Sequence, residues 1–205
     1  MSEPARRTQD GWSHPKDPAP GPLAVVQMFV NSDDLESDIE EENDEFTTAA
    51  GVTRWLRLAG LLGARETASD DDRAAAVELR VALRELLLAN HDGTAGEQRA
   101  ARAVLERLGR AAGLEARFTG SNGAELVPTA NGVPAALGRV VAAVYGAMSD
   151  GTWSRMKACR NDLCHWAFYD HSRNRSGAWC SMETCGTQAK MRAYRKRQQP
   201  QPNRA

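Results

Sequence analysis

The stretches CRNDLC (residues 159–164) and CSMETC (residues 180–185) hold all four cysteines of this 205-residue chain. Each is a C-x4-C pair, and fifteen residues separate the two. Two equal short pairs joined by one longer loop let a chain close a tetrahedral thiolate site around zinc. Two disulfides, or four unrelated buried thiols, are the alternatives. The first twenty residues, MSEPARRTQDGWSHPKDPAP, contain no apolar segment of the kind that routes a chain to an oxidising compartment, so zinc is expected instead. Cys159, Cys164, Cys180 and Cys185 are thus the expected ligands of one structural Zn²⁺, with His165 a possible substitute directly after Cys164.

Charge is divided along the chain. From Gly151 onward there are eleven Lys or Arg and three acids, a net +8, which leaves 15 basic and 24 acidic residues, a net −9, in the rest. Four thiolates around Zn²⁺ contribute −2, so the loaded module stands near +6, a strong field for phosphate. Lys190, Arg192, Arg195, Lys196 and Arg197 crowd the last turns of a segment that reads as helical from about Met182. Arg173 and Arg175 lie in the loop between the cysteine pairs and are placed to grip phosphates from a second side. These seven are the candidate nucleic-acid contacts, and they favour affinity over sequence specificity. Trp166, Phe168 and Trp179 are expected to pack on the metal site, because zinc alone does not exclude water from its thiolates; base stacking is their alternative role.

The sequence from Trp153 to Gln198 resembles the CGNR zinc finger. The resemblance rests on the C-x4-C entry followed by Trp166 and Phe168, then Ser172-Arg173-Asn174-Arg175, then Trp179-Cys180-Ser181-Met182-Glu183-Thr184-Cys185-Gly186 and a basic tail. The family's eponymous Cys-Gly-Asn-Arg reads Cys185-Gly186-Thr187-Gln188 here, so the roles of that asparagine and arginine do not transfer. The preceding part is similar to the ABATE domain, through an apolar segment leading into Phe29-Val30-Asn31-Ser32 and, later, Trp55-Leu56 in a helix. The resemblance implies a bacterial, stress-related transcription regulator. It would be cytoplasmic, and associated with the nucleoid if it binds DNA.

Four divisions are expected: a disordered lead over 1–21, an ABATE-like domain over 22–150, the finger over 151–199 and a disordered tail over 200–205. The apolar, β-branched run Leu23 to Val30 reads as a buried strand. Asp33 to Glu45 carries nine acids and no base. It reads as a solvated loop, or else as a mimic of phosphate that competes for the basic module. Three helices follow. The first starts near Thr48 with Val52, Trp55, Leu56, Ala59 and Leu62 on one face. The second is capped by Ser69 and Asp72 and striped by Ala76, Leu79, Leu83, Leu86 and Leu87, and the third is capped by Thr94 and Glu97. His91 lies at the end of the second, where partial positive charge suits the helix dipole. Leu114 to Val127 reads as a hairpin turning at Asn122-Gly123, and a fourth helix carries Leu137, Val140, Val141, Val144 and Met148. The fold class is α+β: a mainly helical N-terminal domain with a short strand and a hairpin, then a small four-cysteine finger ending in a basic helix.

No run approaches the ~20 apolar residues of a membrane helix. The motifs H-E-x-x-H, G-x-x-x-x-G-K-[ST], G-x-S-x-G and G-x-G-x-x-G are absent, and four cysteines leave zinc no open position for catalysis. The expected function is DNA-binding transcription regulation without enzymatic activity, the N-terminal domain serving to dimerise or to sense a signal. Two rivals come from other classes: a zinc-stabilised module that docks on an acidic protein partner, and a thiol redox switch that ejects zinc on oxidation.

Overall fold

The computed structural model describes residues 17–33, 44–91, 98–120 and 123–198. Trp12, most of the acidic run, the Thr94/Glu97 cap, Asn122 and the tail beyond Gln198 lie outside them. Of the expected lead, Asp17 to Gly21 are placed, and Ala19 is buried with its N–H donating to Gln27 Oε1 at 2.6 Å.

The run Leu23–Val30 is a helix, α1, and not the strand its β-branched residues suggest. Leu23, Val26, Gln27 and Val30 fall at i, i+3, i+4 and i+7 and all are buried, so a helical face fits this segment into the core where an alternating strand would not. α2 spans Ala49–Leu58 behind an N-cap at Thr48, whose hydroxyl accepts from Gly51 N. α3, Asp70–Ala89, opens on the Ser69/Asp72 capping box, and its stripe of Ala76, Leu79, Leu83, Leu86 and Leu87 is buried as the periodicity requires. α4 follows over Arg99–Ala111.

Strands β1, Leu114–Thr119, and β2, Gly123–Pro128, pair antiparallel with Leu114 opposite Pro128 and Thr119 opposite Gly123. Among the described residues only the base of this hairpin meets the body, where Leu114 and Pro128 close on Gly138; Phe118 is 81% exposed. α5, Gly132–Ser149, is the central helix. By length and apolarity it would suffice to cross a membrane, but half of it is buried as the core helix, against α1, α3, α4 and β2. It ends at Asp150, and Gly151 turns the chain at φ +79°, a conformation that favours glycine.

Phe29, Phe46 and Trp55 form an aromatic knot with ring centroids 5.3–5.8 Å apart. Beside it the buried Arg80 grips Asp44 with two bonds, at 2.5 and 2.7 Å, and lies 5.0 Å from the Phe46 ring centroid. Arg84 reaches Asp33 at 3.3 Å, and Asp33 and Asp44 form an isolated β-bridge. Two arginines of α3 thereby fasten the two ends of the acidic run.

Beyond Gly151 a single 3-10 turn, Trp153–Arg155, leads into β3, Met156–Ala158, which pairs antiparallel with β4, Ala167–Tyr169. Trp153, Met156, Ala158 and Ala167 belong to the same continuous core as α1 and α3. The base of the finger thus packs in the same core as the helices.

Candidate metal centre and basic helix

The β3–β4 hairpin carries the first cysteine pair on its turn. Cys159 N donates to Trp166 O at 2.9 Å, and the Asn161 carbonyl accepts from Cys164 N at 2.8 Å and His165 N at 3.1 Å. This tight knuckle forces His165 to φ +48°, which spends its backbone on the turn. The second pair lies where the chain returns. Arg160 N donates to Ala178 O at 3.0 Å, and the π-helical turn Met182–Gly186, capped by Ser181, places Cys185 beside the knuckle.

All four Sγ atoms lie within 4.8 Å of one another. Cys164 and Cys180 stand at 3.6 Å and Cys180 and Cys185 at 3.8 Å, whereas a tetrahedron of ~2.3 Å Zn–S bonds has edges of about 3.8 Å. The donor set fits zinc: four thiol sulfurs, three of the four residues buried, and no carboxylate among them. Zinc binds such sulfurs as thiolates, so metal loading displaces their protons. His165 is not in the cluster. Trp166 and Trp179 pack on the cysteines as expected, while Phe168 faces His91, 6.4 Å between centroids.

Side chains of the N-terminal helices hold the base of this knuckle. Asn31 Nδ2 donates to Ala167 O at 2.9 Å and its Oδ1 accepts from Ala167 N at 2.7 Å, while Gln27 Nε2 adds a bond to the same carbonyl at 3.3 Å. From the end of α3, Asn90 Nδ2 donates to Trp153 O and Met156 O, at 2.9 and 2.8 Å. His91 Nε2 sits 2.6 Å from Ala158 O. Ala158 and Ala167 are register partners, so they are held from both sides directly behind the first cysteine pair. Burial lowers the His91 pKa below its ordinary value, which corrects the expectation of a positive charge at the helix end.

Lys157 and Asp170 form a second buried fastening. Lys157 Nζ contacts Asp170 Oδ2 at 2.8 Å and also donates to the carbonyls of Arg175, at 2.6 Å, and Gly177, at 3.2 Å. Asp170 in turn accepts from the N–H groups of Ser172 and Gly177. A Cβ on Gly177 would lie 2.8 Å from the Asp170 carboxyl carbon, so only glycine closes this loop without displacing it.

After Gly186 the chain forms α6, Thr187–Gln198, which has no buried residue. Lys190, Arg192, Arg195, Lys196 and Arg197 on this helix, and Arg173 and Arg175 on the loop, are all exposed. None of the seven is ion-paired to an acid among the described residues. Two have polar tethers: Arg192 Nη2 donates to Asn161 Oδ1 at 2.9 Å, and Arg175 Nη1 to Ser154 Oγ at 3.2 Å. On the helix, Met191 and Tyr194 lie exposed between Lys190 and Arg197 on one side and Arg195 on the other.

Two family models match the chain in sequence. The CGNR zinc finger matches residues 155–198, and ABATE, described as "Putative stress-induced transcription regulator", matches residues 23–151, more than half of the chain. The protein belongs to the ABATE family. Its CGNR finger holds one structural zinc, for which the four clustered cysteines are the ligands present. No curated protein matches the chain. The residues of the ABATE domain that grip the CGNR finger, namely Gln27, Asn31, Asn90 and His91, were not foreseen. Nothing local marks Asn31, Asn90 or His91, since each acts on a partner 63 or more positions away.

Proposed function

We propose that this ABATE protein is a DNA-binding transcription regulator whose zinc finger presents α6 to the phosphate backbone. The observation that carries this reading is α6 itself: twelve residues, none buried, with five cations, projecting from a base fixed by metal ligands. A helix so poor in burial adds little to the stability of the fold, and its charge suits a polyanion. Arg173 and Arg175 on the neighbouring loop add a second set of phosphate contacts. Zinc has no catalytic role here, because all four coordination positions go to sulfur. The N-terminal domain dimerises or senses a signal. The protein acts in the bacterial cytoplasm, at the nucleoid.

Binding of the zinc-loaded chain to random duplex DNA across a salt series tests this. Neutralisation of ~4 to 5 phosphates gives a slope of log affinity against log salt of about −4. Changing Lys190, Arg195, Lys196 and Arg197 to Ala should abolish it, with Arg192 left in place because it contacts Asn161. A salt-independent affinity in the wild type would reject DNA as the partner.

A second reading is favoured by the exposed Met191 and Tyr194 flanked by cations, a surface that also suits an acidic protein. It takes precedence if neither protein binds DNA.

A further inference from the structure

α6 has no buried residue, yet one face of it meets a side chain that is only 1% exposed. That side chain is Asn161, in the first cysteine knuckle. Its Nδ2 donates to Cys185 Sγ at 3.4 Å and to Gln188 Oε1 at 3.2 Å, and its Oδ1 accepts from Arg192 Nη2 at 2.9 Å. Gln188 and Arg192 are four residues apart and share a helix face. Both donor hydrogens of the amide are used, one on a metal ligand and one on the helix. Gln188 stands where the CGNR motif has its arginine, so in this chain the helix meets the metal site through a glutamine and an arginine one turn later.

We propose that Asn161 is the positioning residue that couples the metal centre to the basic helix. Its N–H orients the Cys185 sulfur, as outer hydrogen bonds orient metal ligands generally. The same amide holds α6 at Gln188 and Arg192, and among the described residues the helix otherwise packs chiefly on the preceding π-turn. Occupancy of the metal site then determines whether the helix is held.

The test uses the zinc-loaded full chain without nucleic acid, so its outcome is independent of the DNA reading. Zinc affinity is measured by competition with a chromophoric chelator, and amide exchange is followed over residues 187–198 at saturating zinc. N161A is expected to weaken zinc about 10- to 100-fold and to lower α6 protection at least about fivefold. N161D keeps an acceptor for Arg192 but loses both N–H bonds, so zinc affinity should fall while α6 protection stays closer to wild type. The double variant Gln188→Ala, Arg192→Ala alters only exposed helix positions, so it folds. It should lower α6 protection as N161A does, with zinc affinity within about threefold of wild type. A role confined to the knuckle turn would not produce that split. Wild-type α6 protection in the double variant, or in zinc-saturated N161A, would overturn the proposal.

Discussion

The carboxamide of Asn31 faces the backbone of Ala167 and satisfies both of its polar groups, accepting from its N–H at 2.7 Å and donating to its C=O at 2.9 Å. An amide side chain at the end of α1 thus occupies the place of a neighbouring strand on the outer edge of β4. Asn31→Ala would leave that buried backbone with only the long bond from Gln27 to its carbonyl. The expected cost is about 2–3 kcal/mol, read as a lower urea midpoint with the slope unchanged. A change below about 0.5 kcal/mol would mean that water replaces Asn31 at this edge.

Removal of zinc should divide the finger internally. Met156, Ala158 and Ala167 lie in the main core, so amides of β3 and β4 should keep their protection after chelation, while those of residues 176–198 lose it. Collapse of α1 to α5 in the same experiment would show that the metal supports the whole chain.

Lys157 and Asp170 are each about 3% exposed in their side chains, and removing one charge strands the other. Burial acts to raise the Asp170 carboxyl, but the Lys157 ammonium and the N–H groups of Ser172 and Gly177 outweigh it and hold the pKa below the ordinary 3.8. A depressed carboxyl contributes stability that is fully present above the unfolded value, near 4, and is lost as pH falls through the folded value. The chain should therefore weaken on acidification below about pH 4. Lys157→Met should cost about 3–5 kcal/mol at pH 7 and flatten that acid dependence. Identical acid profiles for the two proteins would remove the pair as its cause.

His91 gives a second acid dependence, at higher pH. Burial lowers its pKa from 6.5, so its contribution is present above that value and declines as pH drops through the folded value. The neutral ring still donates Nε2–H to Ala158 O. Comparison of wild type with His91→Gln at pH 7.5 and 5.5 isolates the effect. The variant should lose less stability on acidification, and a ring titrating at 6.5 or above in an NMR series would contradict it.

Much of this arrangement was legible in local sequence. Ser69 with Asp72 and the stripe down α3 are short-range patterns, and they appear where periodicity put them. The cysteine pairs are equally local, since a knuckle needs its ligands a fixed few residues apart. The misreading fell on Leu23 to Val30, because a short apolar run with β-branched residues does not by itself separate strand from helix. Gln27 was the available signal: a polar residue in line with Leu23, Val26 and Val30 on a helical face has a buried partner to find. The contacts that join the helical body to the finger were not legible. Asn90 and His91 act on backbone carbonyls, and a backbone carbonyl leaves no trace in the residue identity of its partner.

The π-turn at Met182–Gly186 also limits how the chain can change in length. Gly186 N bonds back to Ser181 O at 2.9 Å, and the helix that carries Gln188 and Arg192 begins at once. Each residue of an α-helix advances the azimuth by about 100°. Loss or gain of one residue between Cys185 and Gln188 would spare all four sulfurs but swing those two side chains away from Asn161. Relatives descended through such an indel would keep their metal and would have to find a different anchor for the helix.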